Sequence, residues 1–428
     1  MNLVSVREFA ELVPGSGADN DLDHAGIPPK DFDWLARLCD GIPALGSLRG
    51  RNRLKLGSLV GALALPGGGQ LEILPKTARA ASDAAGAAST EAAREEERGI
   101  LCKMLRTAMD VSGQEAGIAE IEKFPSPLTE WVATQFLLRL QRLVRSGLRH
   151  GYVTIKDERP YLRGRLDVHR QALQLPHRRH LFHIRHHIFL PDRPENRLLK
   201  SALLKAEKAV RQGPCRRLGG ELAQAMETVP ASRNIPADFA CWGLDRLMAD
   251  YAPIRPWCAL VLGNHMPFAI TGAHTGMSFL FSMHVLFEKY VAAKLSGQLW
   301  PGVRLESQKG LLDLCTHEAR PPLRLRPDIT LTHPDGRQMI LDTKWKCLER
   351  WAEIATQDIY QLYAYGQRCL DGRGDLALIY PDHEKAPALQ NPVKFEGCGL
   401  FLHLLRFNMK KDVFLYHPSF PAGGYWRT

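Results

Sequence analysis

Two aspartates and a lysine, Asp328, Asp342 and Lys344, stand at intervals that suit phosphodiester chemistry. Asp328 follows a proline in Arg326-Pro327-Asp328, and Asp342-Thr343-Lys344 comes fourteen residues later. Two converging carboxylates can hold a hard divalent cation, and Mg²⁺ so held stabilises the charge that develops on a phosphodiester under attack. A lysine beside them can orient or deprotonate the attacking water. Without a cation the two acids would repel one another and their pKa values would rise. D-x-K alone is a common tripeptide, and a hairpin with ordinary surface charges also explains it. The Pro-Asp, the interval, an upstream acid (Glu288) and a following helical stretch make the combination more informative than its parts.

Helical and strand patterns flank these three residues on both sides. Met277 to Leu295 has helical spacing, with Leu280, Phe287, Val291 and Leu295 in one stripe and Glu288 at its edge. A strand is expected near Val303 to Glu306, a second over Arg324 to Leu331, a turn at His333-Pro334-Asp335-Gly336 and a returning strand over Gln338 to Lys346. The strand period of two puts Ile340, Asp342, Lys344 and Lys346 on one face and Leu341, Thr343 and Trp345 on the other. Pro327 cannot donate a ladder hydrogen bond, so an edge or bulge is expected there, aiming Asp328 toward Asp342. A helix over Trp351 to Gln367 and strands at Leu376 to Tyr380 and Leu400 to Arg406 complete an α-β-β-β-α-β-β order.

Upstream the pattern is different. Leu54 to Leu65, a Pro66-Gly67-Gly68-Gly69 tip and Gln70 to Leu74 read as a hairpin, and no GKS or GKT makes the tip a P-loop. Residues 77–97 read as an Ala- and acid-rich linker, followed by helical patterns at about 97–112, Leu128 to Leu148, Asn196 to Val210, Arg216 to Thr228 and Asp250 to Leu262, the last broken by Pro253 and Pro256. Tyr152 to Ile188 reads as basic strands. The expected class is a mixed α/β (α+β) multidomain chain. Its parts would be a β-rich segment over 1–98, a basic helical and β segment over 99–270, and the α-β-β-β-α-β-β segment over 271–428.

The net charge is +10, but it is unevenly spread. Residues 1–98 carry −3, residues 99–270 carry +10 and residues 271–428 carry +3. Residues 139–217 alone hold 20 basic against 6 acidic side chains and seven histidines. Phosphate contact by that arginine-rich stretch is preferred to a solvated surface or an acidic protein partner. His177, His180, His183, His186 and His187 lack Cys or carboxylate at ligand spacing, so a basic strand is expected there rather than a metal site. Nine cysteines without a CxxC pair suggest reduced thiols. The first residues lack a secretory pattern, and Asn264-His265 interrupt the apolar stretch near 258–270, so a cytoplasmic protein off the membrane is expected.

Arg326-Pro327-Asp328 with Asp342-Thr343-Lys344 resembles the signature of the PD-(D/E)xK nucleases. More narrowly the chain resembles the McrC family, the nuclease subunits of McrBC-type modification-dependent restriction systems. That resemblance rests on residues 69–76 (GQLEILPK), 162–166 (LRGRL), 195–200 (ENRLLK) and 358–365 (DIYQLYAY). It implies that Asp328 and Asp342 bind Mg²⁺ (Mn²⁺ as the second choice), that Lys344 is the catalytic lysine, and that Glu288 is the first-helix acid. It also implies the Thr343 carbonyl as a further ligand, and Gln361 and Tyr365 as the helix motif beside the active site. The implied substrate is double-stranded DNA. The implied partner is a hexameric McrB-like AAA+ GTPase, whose hydrolysis the subunit stimulates. Two other readings stay open: a non-enzymatic activator of a motor NTPase with a vestigial nuclease fold, and a stand-alone repair or recombination nuclease.

Overall fold

A computed structural model describes residues 3–15, 21–77, 87–109, 126–210, 213–243, 246–263, 276–308, 312–317 and 320–427. The chain forms two compact units. The first comprises residues 1–128, 266–274 and 280–428, and the second comprises residues 129–265 and 275–279. The architecture is mixed α and β, with several separate sheets. Among the described residues no helix is long and apolar enough to cross a membrane. The apolar stretch near 264–270 lies outside the described residues.

The first unit begins with two small sheets. In one, Leu3–Arg7 runs parallel to Gln70–Leu74, which pairs with Leu59–Ala64, and Phe279–Ser282 closes the far edge. The hairpin expected at the Gly-rich tip is present. Gly68 takes φ +79° there, and the buried Asp31 accepts Gly67 N at 2.7 Å. The GQLEILPK segment carries Glu72, fully buried and accepting four bonds: Arg98 Nε at 3.0 Å, Arg98 Nη2 at 2.7 Å, Ser5 Oγ at 2.7 Å and Leu128 N at 2.9 Å. A buried charge is tolerable only with this degree of pairing. Arg98 sits on a helix, Ala87–Met109, that begins well inside the stretch expected to be linker. Ala, Glu and Arg are strong helix formers, so the absent apolar periodicity over residues 91–96 marked a largely solvent-facing stretch of helix rather than a loop. The boundary expected at 98/99 falls within it.

The other large sheet of this unit has the strand order Arg304–Ser307, Ile329–Thr332, Gln338–Thr343, Arg373–Pro381, Gly399–Asn408, Val393–Lys394, with Val413–Leu415 also pairing Gly399–Asn408. Ile329–Thr332 is antiparallel to both of its neighbours, while Gln338–Thr343, Arg373–Pro381 and Gly399–Asn408 run parallel. Two expectations need correction. Helix Met283–Ser296 starts later than Met277, because residues 279–282 pair as a strand and Met283 N donates to Ser58 O at 3.1 Å. The strand expected over Arg324 to Leu331 is two strands: Arg320–Leu325 pairs with Leu312–His317 in a separate ribbon, and Ile329–Thr332 joins the large sheet. Pro327 lies in the break, where its missing N–H leaves no ladder bond to lose.

The second unit holds helix Leu128–Ser146, the antiparallel strands Gly151–Arg159 and Phe182–Leu190, and helices Pro194–Ala209, Pro214–Ala225 and Arg255–Leu262. Buried Asn196, from the ENRLLK segment, donates to Arg149 O and Pro191 O and accepts Tyr251 Oη at 2.8 Å. His183, His186 and His187 lie on strand Phe182–Leu190 as expected, with His187 Nδ1 3.1 Å from Thr154 Oγ1, but His177 falls in a single helical turn, Pro176–Arg178, and His180 in the turn after it. Several arginines of the basic stretch are paired internally: Arg159 with Asp157, Arg178 with Glu158, Arg185 with Asp167 and Arg197 with Asp192.

Candidate functional site

The returning strand Gln338–Thr343 sets the site. Ile340 packs with Leu362, Tyr365, Leu376 and Leu378, so its face looks toward helix Thr356–Cys369. Asp342 and Lys344 share that face, as the period of two requires. Lys344 Nζ lies 2.9 Å from Asp342 Oδ2 and donates to Gln361 Oε1 at 3.0 Å. Gln361 Nε2 donates to Tyr365 Oη at 2.6 Å, and the Tyr365 hydroxyl donates to Arg326 O at 3.1 Å. This chain of bonds has one consistent direction. Because the Tyr365 proton is committed to a carbonyl, its lone pair must accept the Gln361 amide, which leaves the Gln361 oxygen for Lys344. On the opposite face Trp345 packs against Phe287 with centroids 5.2 Å apart, and its indole donates to Glu8 Oε1 at 2.5 Å.

Asp328 comes from the neighbouring strand. The hairpin pairs Ile329 with Leu341, so continuing the register sets Asp328 opposite Asp342. The Asp328 side chain turns to the strand end: Oδ2 accepts Thr343 N at 2.8 Å and Thr343 Oγ1 at 2.9 Å. Glu288 reaches the same place indirectly. Gln308 Nε2 donates to Glu288 Oε1 at 2.7 Å, while Gln308 N donates to Asp328 O at 2.9 Å. Gln308 has φ +51°, a left-handed backbone that a glutamine adopts only under local constraint. Sequence reasoning missed it, and nothing in the sequence marks it.

The electrostatics are those of crowded acids. Burial, then repulsion from Asp328, pushes Asp342 up to about 7 against the pull of Lys344. Burial and then Asp328 also raise Glu288. Burial pulls the Lys344 ammonium down, but Asp342, Asp358 and Asp328 together outweigh it and the net shift is upward. Lys344 is thus a held cation, suited to orienting and neutralising charge rather than to taking a proton. His284, one helical turn before Glu288, is lowered by burial and then by Lys344 and Lys346, so it lies in the field of the site. Its i, i+4 spacing to Glu288 was a signal available in the sequence. Asp358, buried beside Lys344, was missed as well.

Asp342 is 1% exposed, and neither of its oxygens makes a hydrogen bond: Lys344 Nζ is at ion-pairing distance but off the bonding direction. A buried carboxylate with unbonded oxygens, opposite a second carboxylate, has the donor chemistry of a hard cation site. Among the described residues, no three His, Cys, Asp or Glu side chains gather as a cage. Two carboxylates fit Mg²⁺, which keeps several waters and needs only one or two protein acids.

Comparison with known proteins adds the family. The model of the McrBC family, described as McrBC 5-methylcytosine restriction system component, matches residues 54–381. No curated protein matches. Among solved structures, the chain is similar to one in a refined half-complex from a tetradecameric assembly of Thermococcus gammatolerans McrB AAA+ hexamers with bound McrC. The TM-score is 0.66 at 17% identity, covering 96% of each chain. A second match, to the Thermococcus gammatolerans McrBC complex, has 21% identity, covers 69% of this chain and 87% of the other, and has a TM-score of 0.49.

Proposed function

The chain belongs to the McrBC 5-methylcytosine restriction system component family, and from that premise we propose that it is the McrC-type nuclease subunit, a Mg²⁺-dependent DNA endonuclease. Its partner on this reading is an AAA+ GTPase hexamer of the McrB type, whose hydrolysis it stimulates. The observation that carries the reading is the join between two strands: Asp328 bonded to Thr343, and Asp342 beside a lysine that Gln361 and Tyr365 hold in place. The helix and strand order around it supports a PD-(D/E)xK core.

In this mechanism Asp328 and Asp342, with the Thr343 carbonyl and Glu288 nearby, would hold the cation. Bound Mg²⁺ supplies charge stabilisation at the phosphodiester. Lys344 places its ammonium beside the reacting phosphate and the attacking water. Gln361 and Tyr365 fix where that ammonium points, so less orientational freedom must be lost at the moment of reaction.

Asp342→Ala, purified with its AAA+ partner, should lose cleavage of DNA by more than about a hundredfold while still co-eluting with the partner. Wild-type cleavage rates from the variant would sink the assignment. A second reading is favoured by one observation, the absence of three gathered acids among the described residues. It makes the chain an activator with a vestigial nuclease fold, and predicts that the wild-type complex stimulates nucleotide hydrolysis but never cuts.

A further inference from the structure

Lys344 and Lys346 follow the end of strand Gln338–Thr343, where Lys346 N donates back to Lys344 O at 3.0 Å, and their ammonium groups approach one carboxylate closely enough to repel each other. One carboxylate separates them. Asp358 Oδ2 accepts Lys346 Nζ at 2.9 Å, and Asp358 Oδ1 lies 3.6 Å from Lys344 Nζ. Asp358 is 8% exposed and sits in the first turn of helix Thr356–Cys369. In that position a carboxylate ordinarily accepts helix N–H groups. Among the described residues neither oxygen does so; both are turned to the lysines that follow strand Gln338–Thr343. Lys344 is therefore bracketed by three acceptors, Asp342 at 2.9 Å, Gln361 at 3.0 Å and Asp358 at 3.6 Å, of which two are charged.

We propose that Asp358 is a positioning residue, the counter-charge that keeps Lys344 in place and separated from Lys346 when Asp342 is committed to a cation. The inference rests on the reading of Asp342 as a cation ligand. Asp342 cannot serve Lys344 and a divalent ion equally, and Gln361 is neutral. Asp358 is the charged acceptor left to the lysine, held by a helix rather than by the strand that carries the chemistry.

The test uses the full chain with its AAA+ partner. Asp358→Asn keeps the shape and removes the charge, and should lower the DNA cleavage rate about tenfold or more while KM for DNA changes less than about threefold. Asp358→Glu should recover part of the rate. A second measurement needs no activity: thermal unfolding of Asp358→Asn, Lys344→Met and the double variant. Coupled partners make the double variant lose less Tm than the sum of the singles, each single costing about 2–4 °C. Cleavage by Asp358→Asn at the wild-type rate, or Tm losses that simply add, would overturn the proposal. If the wild-type complex itself does not cut, the proposed function fails, and the unfolding cycle still decides whether Asp358 holds Lys344.

Discussion

Lys344 owes its orientation to a side chain that never touches it. Tyr365 donates its proton to Arg326 O, and that single commitment settles which end of the Gln361 amide faces the lysine. Tyr365→Phe would free the amide to turn its NH₂ group toward the ammonium. The expected cost is about 1 kcal/mol of stability from the lost buried bonds, and a several-fold slower cleavage rate with little change in KM. Steady-state cleavage kinetics check it, and an unchanged rate would refute the orienting role. At this scale much was legible. The D-x-K period put Asp342 and Lys344 on one face, and the structure pairs them at 2.9 Å. Gln308 was not legible, since its role arises from a loop backbone and not from any pattern along the chain. Asp358 was quoted only as part of a segment, because its role depends on which strand its helix packs against.

Elements were legible where periodicity and punctuation agreed. The Asp335-Gly336 turn came out as read: Gly336 takes φ +90° and its N–H donates to His333 O at 2.9 Å. Boundaries failed where tertiary pairing overrode local pattern, as at residues 279–282, where a helical stripe begins as a strand edge. The break at Pro327 was expected as a bulge, but the residues before it left the sheet altogether for a second ribbon. The Ala87–Met109 helix makes its own prediction through Arg98. Arg98→Ala would leave Glu72 buried beside only Ser5 and Leu128 as donors, and should cost roughly 3–5 kcal/mol, read as a lower urea midpoint. A midpoint within error of wild type would mean that the helix does not depend on this pair.

Over the whole molecule, charge and titration separate. Among the buried acids of the first unit outside the candidate site are Glu8 and Glu97. Burial pushes each up to about 7 in spite of bonds from Lys76 N and Trp345 to Glu8 and from Arg7 to Glu97. Both lie above the ordinary value of 4.5, so the folded state binds protons that the unfolded chain releases. Their contribution to stability is full below pH 4.5 and is lost as pH rises through about 7. Glu8→Gln retains an acceptor for Trp345 and should flatten the fall of Tm between about pH 5 and 7; Tm measured across that range checks it, and an unaltered slope would refute it. The positive charge lies mostly elsewhere. Residues 139–217 fall largely in the second unit, and internal pairing of Arg159, Arg178, Arg185 and Arg197 leaves less of that charge for phosphate than the count alone suggested.

The chain leaves the first unit after Leu128, and nearly all of the second unit, residues 129–265, is encoded before the first unit resumes. Synthesis from the N-terminus therefore delivers the residues of the second unit before any of Asp328, Asp342 or Lys344 has been made. The strand that closes the N-terminal sheet, Phe279–Ser282, is made only after residues 129–265. The bond from Trp345 to Glu8 spans 337 residues and forms later still. A nascent chain can complete its basic unit on the ribosome before the residues of the candidate site exist, so the two units can fold in succession, the basic one first.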